Sequence, residues 1–205
     1  MGHAAGVGEE SSVWNKPAGD VWLAYTGSLN RSYDFLTIIR SAARIQKAHG
    51  DRVRFFLTGR GEHAKLAEQL IREQSLSNVT LTGFLEFNTW AHLLQQCDVG
   101  FNASFPEALI YLPNKVFYYL AAGAAVLNTI PGQCSEIIRQ AQCGLDYQAG
   151  NVESCTQAIE QLLVDPPRRI AMGQAARHAA ETLYDRRVLF PKFVDFIEKM
   201  GSAST

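Results

Sequence analysis

From Val21 onward the chain alternates short apolar and β-branched runs with longer segments whose apolar residues recur at helical spacing, the pattern of stacked βα units around a parallel sheet. The first run, VWLAYTG, is closed by Gly27. Ser32 is placed to cap the next helix, in which Leu36, Ile39 and Ala43 share a face and Gly50 is the stop. VRFFLTG (53–59) and VTLTG (79–83) repeat the unit, each followed by a helical pattern, and DVGFNA (98–103) runs into the long loop SFPEALIYLP. The segment LPNKVFYYLAAG then reads as a helix with Asn114 as its cap and Gly123 as its stop, and AAVLNTI, CSEIIRQAQ and CGLDYQ complete about six strands.

Beyond Val152 the pattern is helical only. Asp165, Pro166 and Pro167 separate the first two helices, and Pro191 is expected to kink or divide the last. The expected fold is therefore α/β: a doubly wound, Rossmann-like parallel sheet of about six strands with additional carboxy-terminal helices. Residues 1–20 read as a linker or arm, 21–200 as one domain, and 201–205 as a frayed tail.

Composition narrows the function classes. With 205 residues, 47% hydrophobic and 19% charged, the chain can bury a proper core. A formal charge of −1 argues against nucleic-acid binding through bulk charge. Cys97, Cys134, Cys143 and Cys155 form neither a CxxC pair nor a zinc spacing, and read as reduced thiols in a cytosolic compartment. The histidines are scattered without an HExxH, so no metal site is expected. The opening has no signal-peptide core, and no run of about 18 apolar residues is present.

In an open parallel sheet, ligands bind outside the carboxyl ends of the strands, which selects the loops to inspect. Gly27, Ser28 and Arg31 can bring amides, a hydroxyl and a guanidinium to a phosphate; the alternative is an ordinary turn with a surface arginine. Arg60, between Gly59 and Gly61, offers a second guanidinium or another plain turn. Phe84 and Leu85 can wall a slot for a flat base, or belong to the core.

Lys115 is the most telling residue, because the amino end of a helix already carries about half a positive charge and disfavours a cation there. It is either solvated or partnered by an anion. Helical spacing sets Asn114, Lys115 and Tyr118 towards the cleft and Phe117, Leu120 and Ala121 towards the sheet. Glu107 in the long loop and Glu136, beyond Gly132 in TIPGQCSE, are the acidic candidates, although a carboxylate in a first helical turn is favoured for structural reasons alone.

The ordered set TGSLNRSYDF, FLTGRGE, VTLTGFL, CDVGFNAS, LPNKVFYYLAAGAAVLNTIPGQCSEII and CGLDY resembles the carboxy-terminal half of group 1 (family 4) glycosyltransferases, retaining enzymes with two facing Rossmann-like domains, the GT-B fold. The resemblance implies a domain that binds a nucleotide-sugar donor such as a UDP- or GDP-sugar, with no metal and no other cofactor. An amino-terminal acceptor-binding half of the same parent would complete the cleft. It implies diphosphate contacts from Gly27, Ser28 and Arg31, base contacts from Phe84 and Leu85, and sugar or ribose contacts from Glu107, Lys115 and Tyr118. Arg60, Asn114, Gly132 and Glu136 complete the donor-site set, with Arg31 and Lys115 as the catalytic cations. Transfer to a polysaccharide or glycoconjugate in the cytoplasm is implied, with any membrane association, peripheral and at the inner face, made through the missing half.

Two positions depart from the family. Where relatives hold carboxylates that accept hydrogen bonds from ribose hydroxyls, this chain has Ile110 and Tyr118. That departure supports an alternative reading, a non-catalytic interaction or scaffold module that kept the fold and lost the donor site. A nicotinamide-dependent oxidoreductase is weaker, since GxGxxG and its acidic ribose contact are both missing.

Overall fold

The computed structural model describes residues 14–202. Six parallel strands, β1 (Val21–Thr26), β2 (Val53–Thr58), β3 (Val79–Gly83), β4 (Val99–Asn102), β5 (Ala125–Asn128) and β6 (Gly144–Asp146), lie in the order β3-β2-β1-β4-β5-β6. β1 pairs with β2 from Val21↔Val53 to Thr26↔Thr58 and with β4 at Leu23↔Val99, so strand order reverses between β1 and β4. The fold is the doubly wound, Rossmann-like α/β arrangement that the hydrophobic pattern predicts.

The run VWLAYT is apolar almost throughout because both faces of β1 are covered. Val21, Leu23 and Tyr25 face a core with α1 (Phe35–His49) and α6 (Val152–Val164). Trp22 and Ala24 face the other core, built by α3 (Phe87–Gln96), α4 (Lys115–Ala122), α5 (Gln133–Ala141) and α7 (Pro166–Leu183). α2 (Ala64–Glu73) flanks β2 and β3. Each fully buried large side chain, such as Leu23, Phe55 or Phe101, contributes about 1.5–3 kcal/mol of transfer free energy.

Several helix boundaries differ from the pattern's reading. α1 starts at Phe35 with Asp34, not Ser32, at the cap position. Ser32 instead ties loops together, its carbonyl accepting from the Phe105 amide at 3.0 Å and from Ser104 Oγ at 3.1 Å. The Asp34 carboxylate accepts from the Gly150 amide at 2.8 Å, joining the start of α1 to the loop before α6. Asn114 does precede α4, but its backbone is already helical and its side chain makes no capping bond. Asp165 ends α6 and caps α7 by accepting from the Arg168 amide at 3.0 Å, with Pro166 and Pro167 in the first turn, where missing amide protons do no harm.

The last helix, α8 (Arg186–Ser202), runs through Pro191 undivided. It leaves Phe190, Phe193, Phe196 and Ile197 exposed. Of the expected arm and tail, residues 1–13 and 203–205 lie outside the described residues. The described part of the arm lies on the domain: Trp14 meets Phe56 edge-on at 5.2 Å, and Lys16 is paired with Asp98. Among the described residues, no helix is long and apolar enough to cross a membrane.

Candidate functional site

A cavity of about 470 Å³ opens at the carboxyl ends of β1, β2 and β3, beside the reversal of strand order. Its floor residues Thr26 and Thr58 end β1 and β2, Gly27, Ser28, Gly59 and Arg60 follow them in the chain, and Phe84, Leu85, Phe87 and Trp90 come from the loop after β3 and from the helix that follows it. Its loops continue the pairing of the strands beneath them. The Gly27 amide donates to the Thr58 carbonyl at 2.9 Å, the Gly59 amide to Gly83 at 2.8 Å and the Leu29 amide to Arg60 at 2.9 Å. The Gly27 amide, expected to face an anion, is therefore engaged within the protein, as is that of Leu29.

Gly59 explains why this packing needs glycine. Its φ is +145°, and a Cβ there would stand 1.8 Å from the Gly27 carbonyl oxygen. The glycines after β2, Gly59 and Gly61, thus let two loops touch each other.

Lys115 opens α4 on one face of the sheet, and its side chain crosses the strand ends to the rings of Tyr25 and Tyr33 on the other. Nζ lies 4.7 Å from the Tyr25 ring centre and 3.9 Å from that of Tyr33. A Cβ on Gly27 would come within 2.8 Å of Nζ, so the absent side chain makes room for the amine. The residue is only 8% exposed, and Nζ has no hydrogen-bond partner. Desolvation pulls its pKa down to about 7. The two ring faces work in the opposite direction, each favouring the cation by about 0.5–2 kcal/mol.

This orientation corrects the expected helix faces. Lys115 shares the buried face of α4 with Val116, Tyr119 and Leu120, while Asn114, Tyr118 and Ala121 are exposed. Tyr119, not Phe117, is the aromatic fully buried under the helix, because its hydroxyl donates to the Phe101 carbonyl at 3.1 Å and accepts from the Thr26 amide at 2.9 Å. Those bonds satisfy its one polar atom in the core.

The aromatic side is a connected set. Trp90 Nε1 donates to Thr26 Oγ1 at 2.9 Å, fixing the indole against the floor. Phe87 lies 5.7 Å from Trp90, and Tyr118 meets the indole edge-on at 5.0 Å. The Arg60 guanidinium sits 5.1 Å over the Phe84 ring, so a mobile cation is held at the rim.

Of the expected site residues, Gly27, Ser28, Arg60, Phe84 and Leu85 line this one cavity, Lys115 stands directly behind Gly27, and Tyr118 borders it through Trp90. The others do not line it. Arg31 and Asn114 are exposed, and Glu107 sits on an exposed turn at Pro106–Ala108. Gly132 precedes α5, and Glu136 accepts from Arg139 at 2.7 Å and from Gln140 at 2.5 Å, pairing that holds its carboxyl below the usual range. Sequence reasoning missed Tyr25, Tyr33, Phe87 and Trp90. The spacing of Phe84, Phe87 and Trp90 at successive third positions was the available signal.

The sequence profile described as glycosyl transferases group 1 matches residues 20–165. No curated protein matches the chain. Among solved structures, WaaG, a glycosyltransferase involved in lipopolysaccharide biosynthesis, is similar at 20% identity and TM-score 0.69, over 82% of this chain and 44% of its own. Anabaena Alr3699/HepE, solved with UDP and glucose, is similar at 16% identity and TM-score 0.74, over 89% and 49%. The C-terminal domain of LpcC, a glycosyl transferase group 1 family protein from Francisella tularensis, is similar at 18% identity and TM-score 0.67, over 82% and 87%. At such identities the likeness is one of fold. The chain spans about half the length of the first two structures.

Proposed function

The chain belongs to the group 1 glycosyl transferases, and from that premise we propose that it is the half that binds the nucleotide-sugar donor. Residues 21–200 form that unit, and an amino-terminal half of a longer parent binds the acceptor and completes the cleft. The observation that carries the reading is Lys115: a buried ammonium without a hydrogen-bond partner, directly behind Gly27 at the reversal of strand order. A buried amine in that state gains most from an anion, which would replace lost hydration with charge-assisted hydrogen bonds.

In this reading the diphosphate docks at the Gly27 loop, the base reaches Phe84 and Leu85, and the nucleoside sugar lies between them along Trp90. Transfer with retention breaks the bond between the anomeric carbon and the diphosphate oxygen and forms one from that carbon to an acceptor hydroxyl oxygen on the same face; the acceptor's proton passes to the departing diphosphate, on which charge develops. Lys115, with Arg60 at the rim and Arg31 farther along the loop after β1, stabilises that charge without a metal. The binding of UDP by a fold relative, HepE, supports the ligand class. The activity is cytoplasmic transfer to a polysaccharide or glycoconjugate, and any contact with the inner face of a membrane belongs to the other half.

Calorimetric titration with UDP- and GDP-sugars tests this. Saturable binding is expected, weakened about tenfold or more by Lys115→Met, the loss of a charge-assisted contact. Absence of heat with the whole panel at millimolar concentrations would sink the reading. Tyr118 and Ile110, where the family resemblance implies carboxylates, favour a second reading as a scaffold module. A nucleotide seen in the cavity would dispose of that one.

A further inference from the structure

Resting on the donor-site reading, we infer that the cavity holds the nucleoside sugar by its ring and does not read its hydroxyls, so that 2′-deoxyribonucleoside diphosphates bind as well as ribonucleoside diphosphates. Gly27, the phosphate end, follows β1, and Phe84 and Leu85, the base end, follow β3, with the end of β2 between them; Trp90 lines the same cavity and reaches Thr26, the neighbour of Gly27, through its indole N–H. A nucleoside spanning the two ends lays its sugar on that indole.

Telling ribose from deoxyribose requires a group set to bond the 2′-hydroxyl. A site built to hydrogen-bond a hydroxyl strongly rejects the analogue that lacks it, whereas an apolar surface hardly distinguishes the two. Among the described residues, no aspartate or glutamate lines this cavity. Glu107 sits on its own exposed turn, and Glu136 is occupied by Arg139 and Gln140. The two floor hydroxyls each already accept one bond from a protein neighbour, and as neutral hydroxyls they are weaker partners for a sugar than a carboxylate. Thr26 Oγ1 accepts from Trp90 at 2.9 Å, and Thr58 Oγ1 accepts from Thr82 at 3.1 Å.

Ser28 stands next to Gly27, at the phosphate end. Tyr118, the residue beside the indole, presents a ring edge to it at 5.0 Å. A phenol is a weak, uncharged acceptor compared with a carboxylate, which can accept from two neighbouring hydroxyls at once. The wall offered to the sugar is therefore aromatic, suited to the apolar face of a furanose ring, with or without a 2′-oxygen.

The test titrates the 205-residue chain with three matched pairs, UDP and dUDP, GDP and dGDP, ADP and dADP, so that only the 2′-oxygen differs within a pair. In the pair that binds, the two dissociation constants are expected to agree within about fivefold, as an unread hydroxyl requires. A preference for the ribonucleotide above about fivefold overturns the inference while leaving the donor site standing. If no pair binds, the donor-site reading falls and this inference with it. As a second measurement, Tyr118→Glu introduces a carboxylate beside the indole and is expected to raise the ribo-to-deoxy preference above about fivefold. An unchanged ratio in that variant would overturn the assignment of the sugar to the Trp90 wall.

Discussion

The two halves of the sheet end their strands differently. After β1, β2 and β3 the loops are short, bonded to one another and walled by aromatics, and they enclose about 470 Å³. After β4 the chain makes a longer excursion before Lys115, and the cavity between Phe105 and Ile130 is only about 70 Å³. Glu107, Gly132 and Glu136 belong to this second half and stay in solvent. Ser32 and Tyr119 tie the halves by hydrogen bonds, and Lys115 spans them with a charge: it starts its helix after β4 and ends its side chain against Tyr25 and Tyr33 beside β1. Convergence at the strand ends depends on loops close enough to touch, and the presence of suitable residue types is not sufficient.

Glycine substitutions separate the halves most sharply. Gly59→Ala drives a Cβ into the Gly27 carbonyl and is expected to lower stability by about 3 kcal/mol or more. Gly132→Ala meets open space and only the backbone strain of φ +73° with ψ −129°, about 1–3 kcal/mol. Denaturant melts of the two variants check this, and equal losses would break the contrast.

The next effect is electrostatic. Lys115 has its folded pKa near 7 against an ordinary 10.5, so between those values the unfolded chain binds the extra proton. Stability conferred by this group therefore rises with pH through that window, by on the order of 1–2 kcal/mol between pH 7 and 9. Lys115→Met should remove this slope and be more stable than the parent at pH 7, whereas Arg31→Met should leave the slope intact. Thermal melts from pH 6 to 9 decide it; identical slopes in the parent and Lys115→Met would refute the buried, lowered amine.

Trp90→Phe deletes the bond to Thr26 and is expected to lower stability by about 1 kcal/mol while loosening the aromatic wall. The smallest effects belong to the open half. Glu107→Gln and Glu136→Gln should change nucleotide-sugar affinity by less than about twofold, as expected of exposed groups outside the cavity. A larger change in either would mean that the second half of the sheet closes over the ligand.

Most of the fold was legible because both faces of a parallel sheet are covered, which makes runs such as VWLAYT and VRFFLT largely apolar, Arg54 being exposed, and leaves glycine to end them. The strand reversal followed from the same grammar. The ends of helices were less legible: Ser32 has the chemistry of a cap, but its carbonyl is drawn to Ser104 and Phe105, contacts some seventy residues away in sequence. In the site, the Gly27 loop and Phe84 were readable from their positions after strands. The direction of Lys115 was not, because helical spacing alone does not show whether a long amphipathic side chain leaves the helix upward or folds under a loop. The tyrosine cage was hidden for a related reason: Tyr25 looks like any core residue in an apolar run.

The caged amine also has a calorimetric consequence. Near neutral pH it is only partly protonated, and a docking diphosphate would draw it fully into the ammonium form, taking a proton from solution. The heat measured on adding a donor would then depend on the ionisation enthalpy of the buffer, larger differences appearing between Tris and phosphate as the pH is raised above 7. The binding isotherm would thus count protons as well as ligands.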